Sequence, residues 1–570
     1  MQRQGRLLRP CPGRRTTWVL AALAGLAPTT AAAAPGVANR LSGAHAQGPA
    51  TASVTGIYHN PAMLGSLPGL NFQTTLRGGV DHLSVRRYAI GSDGGPSNSF
   101  SGRAQIVNPA FDYFIGASFL LDPIAVGAAV HTYDGRFRYD SDPSLRYHLA
   151  PDSDVGCSID TARICPQVRQ GGALELRTDF DLALAWNALD FMSVGATIHF
   201  PRQRTYFARD VDSALTADPD CDPAVTGVEN PSCAERLSFR GSTRLRWFGL
   251  RQTPSSRLDF AVTIGVAFAI RDRVTLGLRY RTQPVLEGGT ITVNGEALIC
   301  RPTGSSAQLP ACEGADAIAA TMTQSLPREF AVGIAGGVGN WQFDGNLYWI
   351  DRCPGTTKGG GCNNRDKRQL QLVGLDDDAA TLSEGAVYQG LRDVFGAELW
   401  ARYRLDDLVG ASLPYYKVLC SGVEFDPTTK KRLRCVPRVD LLLGAGFNSP
   451  AVAPSALTAA SSAGWNVLAT VGTSFNLPGR NGTWSLVPGY ALDFTVPTQV
   501  GPAGAAFDPR DAIAFENSGA DLNHPSADAV LAGQALPTNA GVYVGAVHTL
   551  LFAVRWSERG IGARELPARR

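Results

Sequence analysis

Apolar and polar residues alternate with a period of two along much of this chain, the spacing of β-strands with unlike faces. In Val274-Thr275-Leu276-Gly277-Leu278-Arg279-Tyr280-Arg281 the Val, Leu, Leu and Tyr share one face, while Thr275, Arg279 and Arg281 share the other. Phe395, Ala397, Leu399, Ala401, Tyr403 and Leu405 alternate in the same way with Glu398, Trp400, Arg402 and Arg404. Such runs predict about fourteen strands, near 70–90, 110–121, 123–135, 172–188, 190–209, 238–270, 272–297, 326–338, 341–352, 392–405, 436–448, 464–477, 483–494 and 541–556.

A single run of this kind would suit an edge strand of a soluble sheet, a reading that weakens as the runs accumulate. A soluble sandwich turns its apolar face inward. A barrel in lipid turns it outward, lines its lumen with polar groups and sets aromatics where strands meet the headgroups. Aromatic ends are present in Trp465 to Leu477, in Trp341 to Trp349 and in Trp484 to Phe494. The predicted fold is therefore all-β, a transmembrane antiparallel β-barrel. Its connections alternate between short (Leu121-Asp122-Pro123, 187–190, 271–273, 337–340, 478–482) and long (136–171, 210–237, 298–325, 353–391, 449–463, 495–540), as inner turns and outer loops would.

Composition agrees with a closed sheet. Among 570 residues only 18% are charged and 62 are Gly, which suits a twisted sheet better than a helical bundle. The net charge of +2 and the absence of a basic block interleaved with aromatics argue against a nucleic-acid partner. Residues 1–34 have the layout of a secretory signal, a basic start followed by an apolar run into Ala31 to Ala34. Beyond it no apolar run is long enough for a helical span. Segment 35–69 is Gly/Ala-rich, weakly patterned and small enough to sit inside a wide lumen. The expected organisation is a leader over 1–34, a hatch over 35–69, a barrel over 70–556 and a basic tail over 557–570.

Once Cys11 leaves with the leader, ten cysteines remain as five close pairs: Cys157 with Cys165, Cys221 with Cys233, Cys300 with Cys312, Cys353 with Cys362, and Cys420 with Cys435. Each lies in a polar stretch between alternating runs, the pattern of loop-closing disulfides in an oxidising compartment. A zinc reading is the alternative, but the pairs lack the spacing and nearby His residues of common zinc sites. Four pairs fall in long connections. Cys420 and Cys435 interrupt an expected short turn, which means either an extra hairpin there or a strand count off by two.

Gly56-Ile57-Tyr58-His59-Asn60-Pro61-Ala62 follows the leader and enters the first strand, and Gly277-Leu278-Arg279-Tyr280-Arg281-Thr282 precedes Gly288-Gly289 and Leu326-Pro327. These features, with the order of the strands, resemble the outer-membrane long-chain fatty-acid and hydrocarbon transporters, the FadL/TodX family, whose hatch carries an Asn-Pro-Ala signature. The resemblance implies a monomeric fourteen-stranded barrel in the bacterial outer membrane, blocked by an N-terminal hatch bearing Asn60, Pro61 and Ala62. It also implies a lateral exit where the third strand kinks, here at His131, Thr132, Tyr133, Asp134 and Gly135. A kink leaves backbone groups without ladder partners, and the Asn60 amide could supply them.

Arg279, Arg281, Arg402 and Arg404 face the expected lumen. They could grip a carboxylate headgroup, or they could balance Asp179, Asp181, Glu398 and Asp440 in a structural ladder. No nucleophile elbow, phosphate loop, zincin helix or dinucleotide fingerprint is present. His199 and His548 read as ordinary strand positions. The acidic run from Asp210 to Asp222 lacks calcium-ligand spacing. The sequence thus predicts passive uptake of fatty acids or other hydrophobic molecules, with no enzyme activity, cofactor or metal. Its expected partners are that substrate, outer-membrane lipid and the barrel assembly machinery. The alternatives are a barrel enzyme such as a lipase and an adhesive barrel.

Overall fold

The computed structural model describes residues 40–87, 89–90, 96–97, 103–138, 170–212, 234–243, 260–270, 274–285, 289–300, 318–351, 370–373, 386–387, 393–405, 424–425, 432–433, 438–451, 464–478, 482–500 and 541–558. The expected leader, most of the basic tail and the ten cysteines expected to pair lie outside the described residues, apart from the backbone of Cys300.

Fourteen strands form one antiparallel sheet that closes on itself. They are β1 (Leu70–Arg87), β2 (Arg103–Leu121), β3 (Ile124–Arg138), β4 (Gln170–Leu189) and β5 (Met192–Asp212). Five strands come in two pieces each, β10 below and these four: β6 (Ala234–Ser242 and Ala261–Ile270), β7 (Val274–Arg281 and Thr290–Cys300), β8 (Ile318–Ser325 and Arg328–Val338) and β9 (Trp341–Asp351 and Leu370–Val373). The circuit ends with β10 (Ala386–Val387 and Val394–Arg404), β11 (Arg438–Asn448), β12 (Asn466–Pro478), β13 (Gly482–Val500) and β14 (Gly541–Glu558). β14 pairs with β1 from Asn71 opposite Ser557 to Arg87 opposite Gly541, so the sheet has no free edge.

The alternation read from the sequence is an inside-out one. Leu399 is 59% exposed and its neighbour Trp400 2%; Leu550 is 70% exposed and Leu551 3%. The Trp465 stripe faces outward through Val467, Val471 and Phe475, while Asn466, Leu468, Thr470 and Ser474 are buried inside. A belt of this extent would aggregate in water and is suited to hydrocarbon. Aromatic rings cluster near its two rims. Trp341 lies 4.6 Å from Tyr403 and Trp484 6.3 Å from Trp556 at the short-turn end, and Trp349 lies 6.5 Å from Phe395 towards the other.

Several strands reach further than the alternation predicts. Ile318–Ser325 falls in a segment expected to be loop, and β13 continues to Val500. Beyond the lipid neither face needs to be apolar, so pairing there leaves no two-residue signature. The 405–437 connection joins β10 to β11 at the short-turn end and carries a small ribbon, Glu424–Phe425 against Arg432–Leu433. The extra-hairpin reading therefore holds and the count stays at fourteen. β14 extends two residues past its expected end, and Leu70 N–H bonds to Glu558 Oε2 at 3.1 Å.

Candidate functional site

Residues 40–69 are mostly buried and bond to the inner wall around the barrel. Arg40 pairs with Asp493 of β13 at 2.9 Å and donates to Thr470 of β12. The Leu41 carbonyl accepts from Thr75 of β1 at 2.7 Å, the Ser42 carbonyl from Arg555 of β14 at 3.3 Å, and the Ile57 carbonyl from Thr197 of β5 at 2.7 Å. Asn346 of β9 donates to the Gln47 carbonyl and Asn187 of β4 to the Gly65 carbonyl. A weakly patterned segment lacks ladder partners of its own, so wall side chains satisfy its backbone.

Asn60, Pro61 and Ala62 lie at the centre of this segment. A short helix, α1 (Gly56–His59), ends at Asn60, and a 3-10 turn, Pro61–Ser66, begins after it. Asn60 is fully buried; its Oδ1 accepts from Ala62 N–H at 3.1 Å, and its Nδ2 donates to Pro49 O at 2.6 Å and Val266 O at 3.1 Å. Val266 belongs to β6, so the Asn60 amide holds the segment to β6 rather than supplying the kinked β3. Wall glycines leave room for it. A Cβ at Gly277 would fall 1.9 Å from Pro49 O, and one at Gly195 2.6 Å from Ala62 N.

The pairing of the third strand shifts register on both sides. Its pairing with β2 is regular from Ile124 to His131, where His131 faces Phe114, and then shifts before Arg136 meets Ala110. On the other side, pairing with β4 shifts between Tyr133 and Arg136. Both ladders thus break across Asp134 and Gly135. Thr132 Oγ1 accepts from Tyr113 N–H at 2.9 Å, replacing one lost ladder bond. A small cavity adjoins the break, lined by Arg40 and Leu41, by Thr75 and Arg77 of β1, by Asp112, Tyr113 and Phe114 of β2, and by Thr132. Arg77 and Asp112 form an ion pair across it.

Beside the break lies a buried polar network built around Tyr58 of α1. Asp181 of β4 bonds to His131 Nε2 at 2.9 Å and to His199 Nδ1 at 2.7 Å, and His199 Nε2 reaches Thr263 Oγ1 at 2.7 Å. Arg281 pairs with Asp179 at 2.8 Å, and Arg279 pairs with Glu329. The two guanidinium carbons stand 4.9 Å and 5.5 Å from the centre of the Tyr58 ring, whose edges meet His131 and His59 at 5.1 Å. Burial raises the Tyr58 phenol pKa, so the group stays a neutral hydroxyl. His131, Asp179 and Asp181 bring ligand-type atoms within 4.8 Å of one another. Both carboxylates are already engaged by Arg177, Arg281, His131 and His199, which accounts for the cluster as an ion-pair network.

Of the expected lumen arginines, Arg279 and Arg281 belong to this network. Arg402 pairs with Asp440 at 2.6 Å and donates to Gln342, with its side chain 32% exposed. Arg404 follows on the same face near the short-turn end and lies opposite Asp440 in the β10–β11 ladder. Sequence reasoning missed Tyr58 and His199. The available signal was parity: His199, Asp181 and Arg281 all stand at inward positions of their strands, where a buried polar residue needs a partner.

No family model matches the sequence, and no curated protein matches it. Solved structures do. A FadL homologue from Pseudomonas aeruginosa is 11% identical, with 93% of this chain and 98% of that chain covered and a TM-score of 0.56. The toluene transporter TodX of Pseudomonas putida is 10% identical, with 93% and 100% covered and a TM-score of 0.51. At such identities the likeness establishes a shared barrel fold across nearly the whole chain.

Proposed function

We propose that this chain is a bacterial outer-membrane channel for passive uptake of hydrophobic small molecules, in which segment 35–69 is a hatch and the β2–β3 discontinuity is a lateral exit. One observation carries the reading. An apolar-faced barrel is filled by its own N-terminal segment, and its wall ladder breaks on both sides of Asp134–Gly135 next to that segment. A plug blocks a straight aqueous path, and a wall gap opens into a medium that favours a greasy molecule by about 0.8 kcal/mol per methylene. A molecule leaving sideways never re-enters water, so a gradient and removal downstream suffice to drive uptake. The similar structures are described as a FadL homologue and a toluene transporter, and this chain is accordingly proposed to take fatty acids or hydrocarbons.

The test is uptake of labelled oleate and labelled toluene by cells that do or do not produce the protein. Faster entry of either compound supports the reading. Equal entry of both overturns it, and hydrolysis of an ester substrate by the purified protein would point to the lipase alternative instead. Asn60, Pro61 and Ala62 are proposed as the hatch anchor, and residues 131–135 as the exit. Arg402, whose side chain is 32% exposed against 7% for Arg279 and 4% for Arg281, is proposed to meet an anionic headgroup.

A further inference from the structure

Two histidines of the N-terminal segment are buried against the wall with a ring nitrogen that bonds to nothing among the described residues. His45 is 9% exposed and His59 8%, and the Nε2 of each lacks a hydrogen-bond partner. Both stand near arginines of the wall, His45 near Arg555 of β14 and Arg402 of β10, and His59 near Arg279 of β7. We propose that these two histidines form an acid-operated release: each is buried between the segment and the wall with an unbonded ring nitrogen, and mild acid undocks segment 40–69 from an intact barrel. The inference concerns the docking of the segment and holds whatever molecule the barrel carries.

Most of the carboxylates near the two histidines are already paired with an arginine or bonded to another side chain. Around His59, Arg279 is paired with Glu329 of β8, Arg177 and Arg281 with Asp179, and Asp181 with His131 of β3 and His199 of β5. Tyr58, edge-on to His59, offers only a neutral ring. On the wall towards His45, Arg402 takes Asp440 of β11 and Arg40 takes Asp493 of β13, while Asp344 of β9 and Glu398 of β10 accept from Thr51 and Trp400 and form no salt bridge among the described residues. Burial first, and then the nearby cations, hold both histidines well below the ordinary imidazole pKa.

The sign follows. Above about pH 6.5 both rings are neutral whether the segment is docked or free. Below it the free segment binds protons on these two rings that the docked one refuses, so their contribution to docking weakens as the pH falls. Each unit of pKa depression corresponds to a tenfold loss of docking per histidine at sufficiently low pH.

Hydrogen exchange of the full-length protein in detergent micelles, corrected for intrinsic rates, tests this between pH 7.5 and pH 5. Amides of 40–66 are expected to lose at least about tenfold in protection, while those of β12 to β14 stay unchanged. The double variant H45Q/H59Q is expected to flatten the response, and each single variant to reduce it. Unchanged protection of 40–66 in the wild-type protein at pH 5 overturns the proposal without any variant. Equal acid loss in a folded H45Q/H59Q barrel, or in both single variants, overturns it as well.

Discussion

Gly265 of β6 lies directly against Asn60: a Cβ built on the glycine would fall 1.8 Å from Asn60 Oδ1. The neighbouring atom is the acceptor that caps Ala62, so it cannot swing away without losing that bond. Gly265→Ala is therefore expected to push the segment from its seat at a cost of about 1–3 kcal/mol, the usual range for overpacking. The residue is a wall position paired with Arg279 and Gly195 in regular ladders, so the barrel itself should persist. Raised single-channel conductance in a planar bilayer, with unchanged heat-modifiable mobility, is the expected result. Wild-type conductance would show that the segment adapts without leaving.

Asn60 makes a complementary prediction. Asn60→Ala leaves the Val266 and Pro49 carbonyls and the Ala62 amide without their buried side-chain partner. Docking should weaken by about 2–3 kcal/mol, the scale of buried polar groups left unpaired. Asn60→Asp should be no milder, because it retains the acceptor for Ala62 but turns an oxygen on two carbonyls. Faster proteolysis within 40–66, with β1 to β14 still resistant, is the measurement that checks both.

These two residues also mark how far the sequence could be read. The fold was legible because lipid imposes a strict rule: every spanning strand must offer one apolar face, and Val467, Val471 and Phe475 obey it. The outer ends of the strands were not legible, since Ile318–Ser325 lies where no such rule applies. The family resemblance implies a kink at 131–135, and the β3 ladders shift register around Asp134–Gly135, which is the ground on which the exit is proposed there. The partner of Asn60 did not follow. Which carbonyl a buried amide reaches depends on how a segment without periodicity packs in three dimensions, and β6 adjoins it where β3 was expected. For His199 parity marks an inward position, but its partners, Asp181 and Thr263, lie on two other strands and follow only from the packing.

Thr132 offers a test of the wall break. Its hydroxyl accepts from Tyr113 N–H where β3 no longer presents a carbonyl. Thr132→Val preserves shape and removes the acceptor, which should cost about 1–3 kcal/mol of barrel stability, while Thr132→Ser should restore most of it. Thermal unfolding followed by far-ultraviolet circular dichroism distinguishes the two. Equal melting temperatures for Val and Ser variants would mean that the Tyr113 amide has another partner.

Leu550 and Leu551 are neighbours on β14 with opposite assignments, and they separate the lipid face from the lumen face. Leu550 points out of the barrel, whereas Leu551 packs inside with Ala44, Leu442, Val487, Ala491 and Ala553. Leu550→Arg should destabilise the barrel in bilayers by about 2–4 kcal/mol, the cost of a cation near the membrane midplane. The docking of 40–66 should be untouched. Leu551→Ala should leave the outer belt intact and open a void beside Ala44, costing about 2–5 kcal/mol, part of it read as lost protection of the segment. Urea unfolding in liposomes reports the first effect and hydrogen exchange of residues 40–66 the second. If Leu550→Arg were neutral in liposomes while Leu551→Ala left the segment fully protected, the outward apolar belt and the inward seat would both be wrongly assigned.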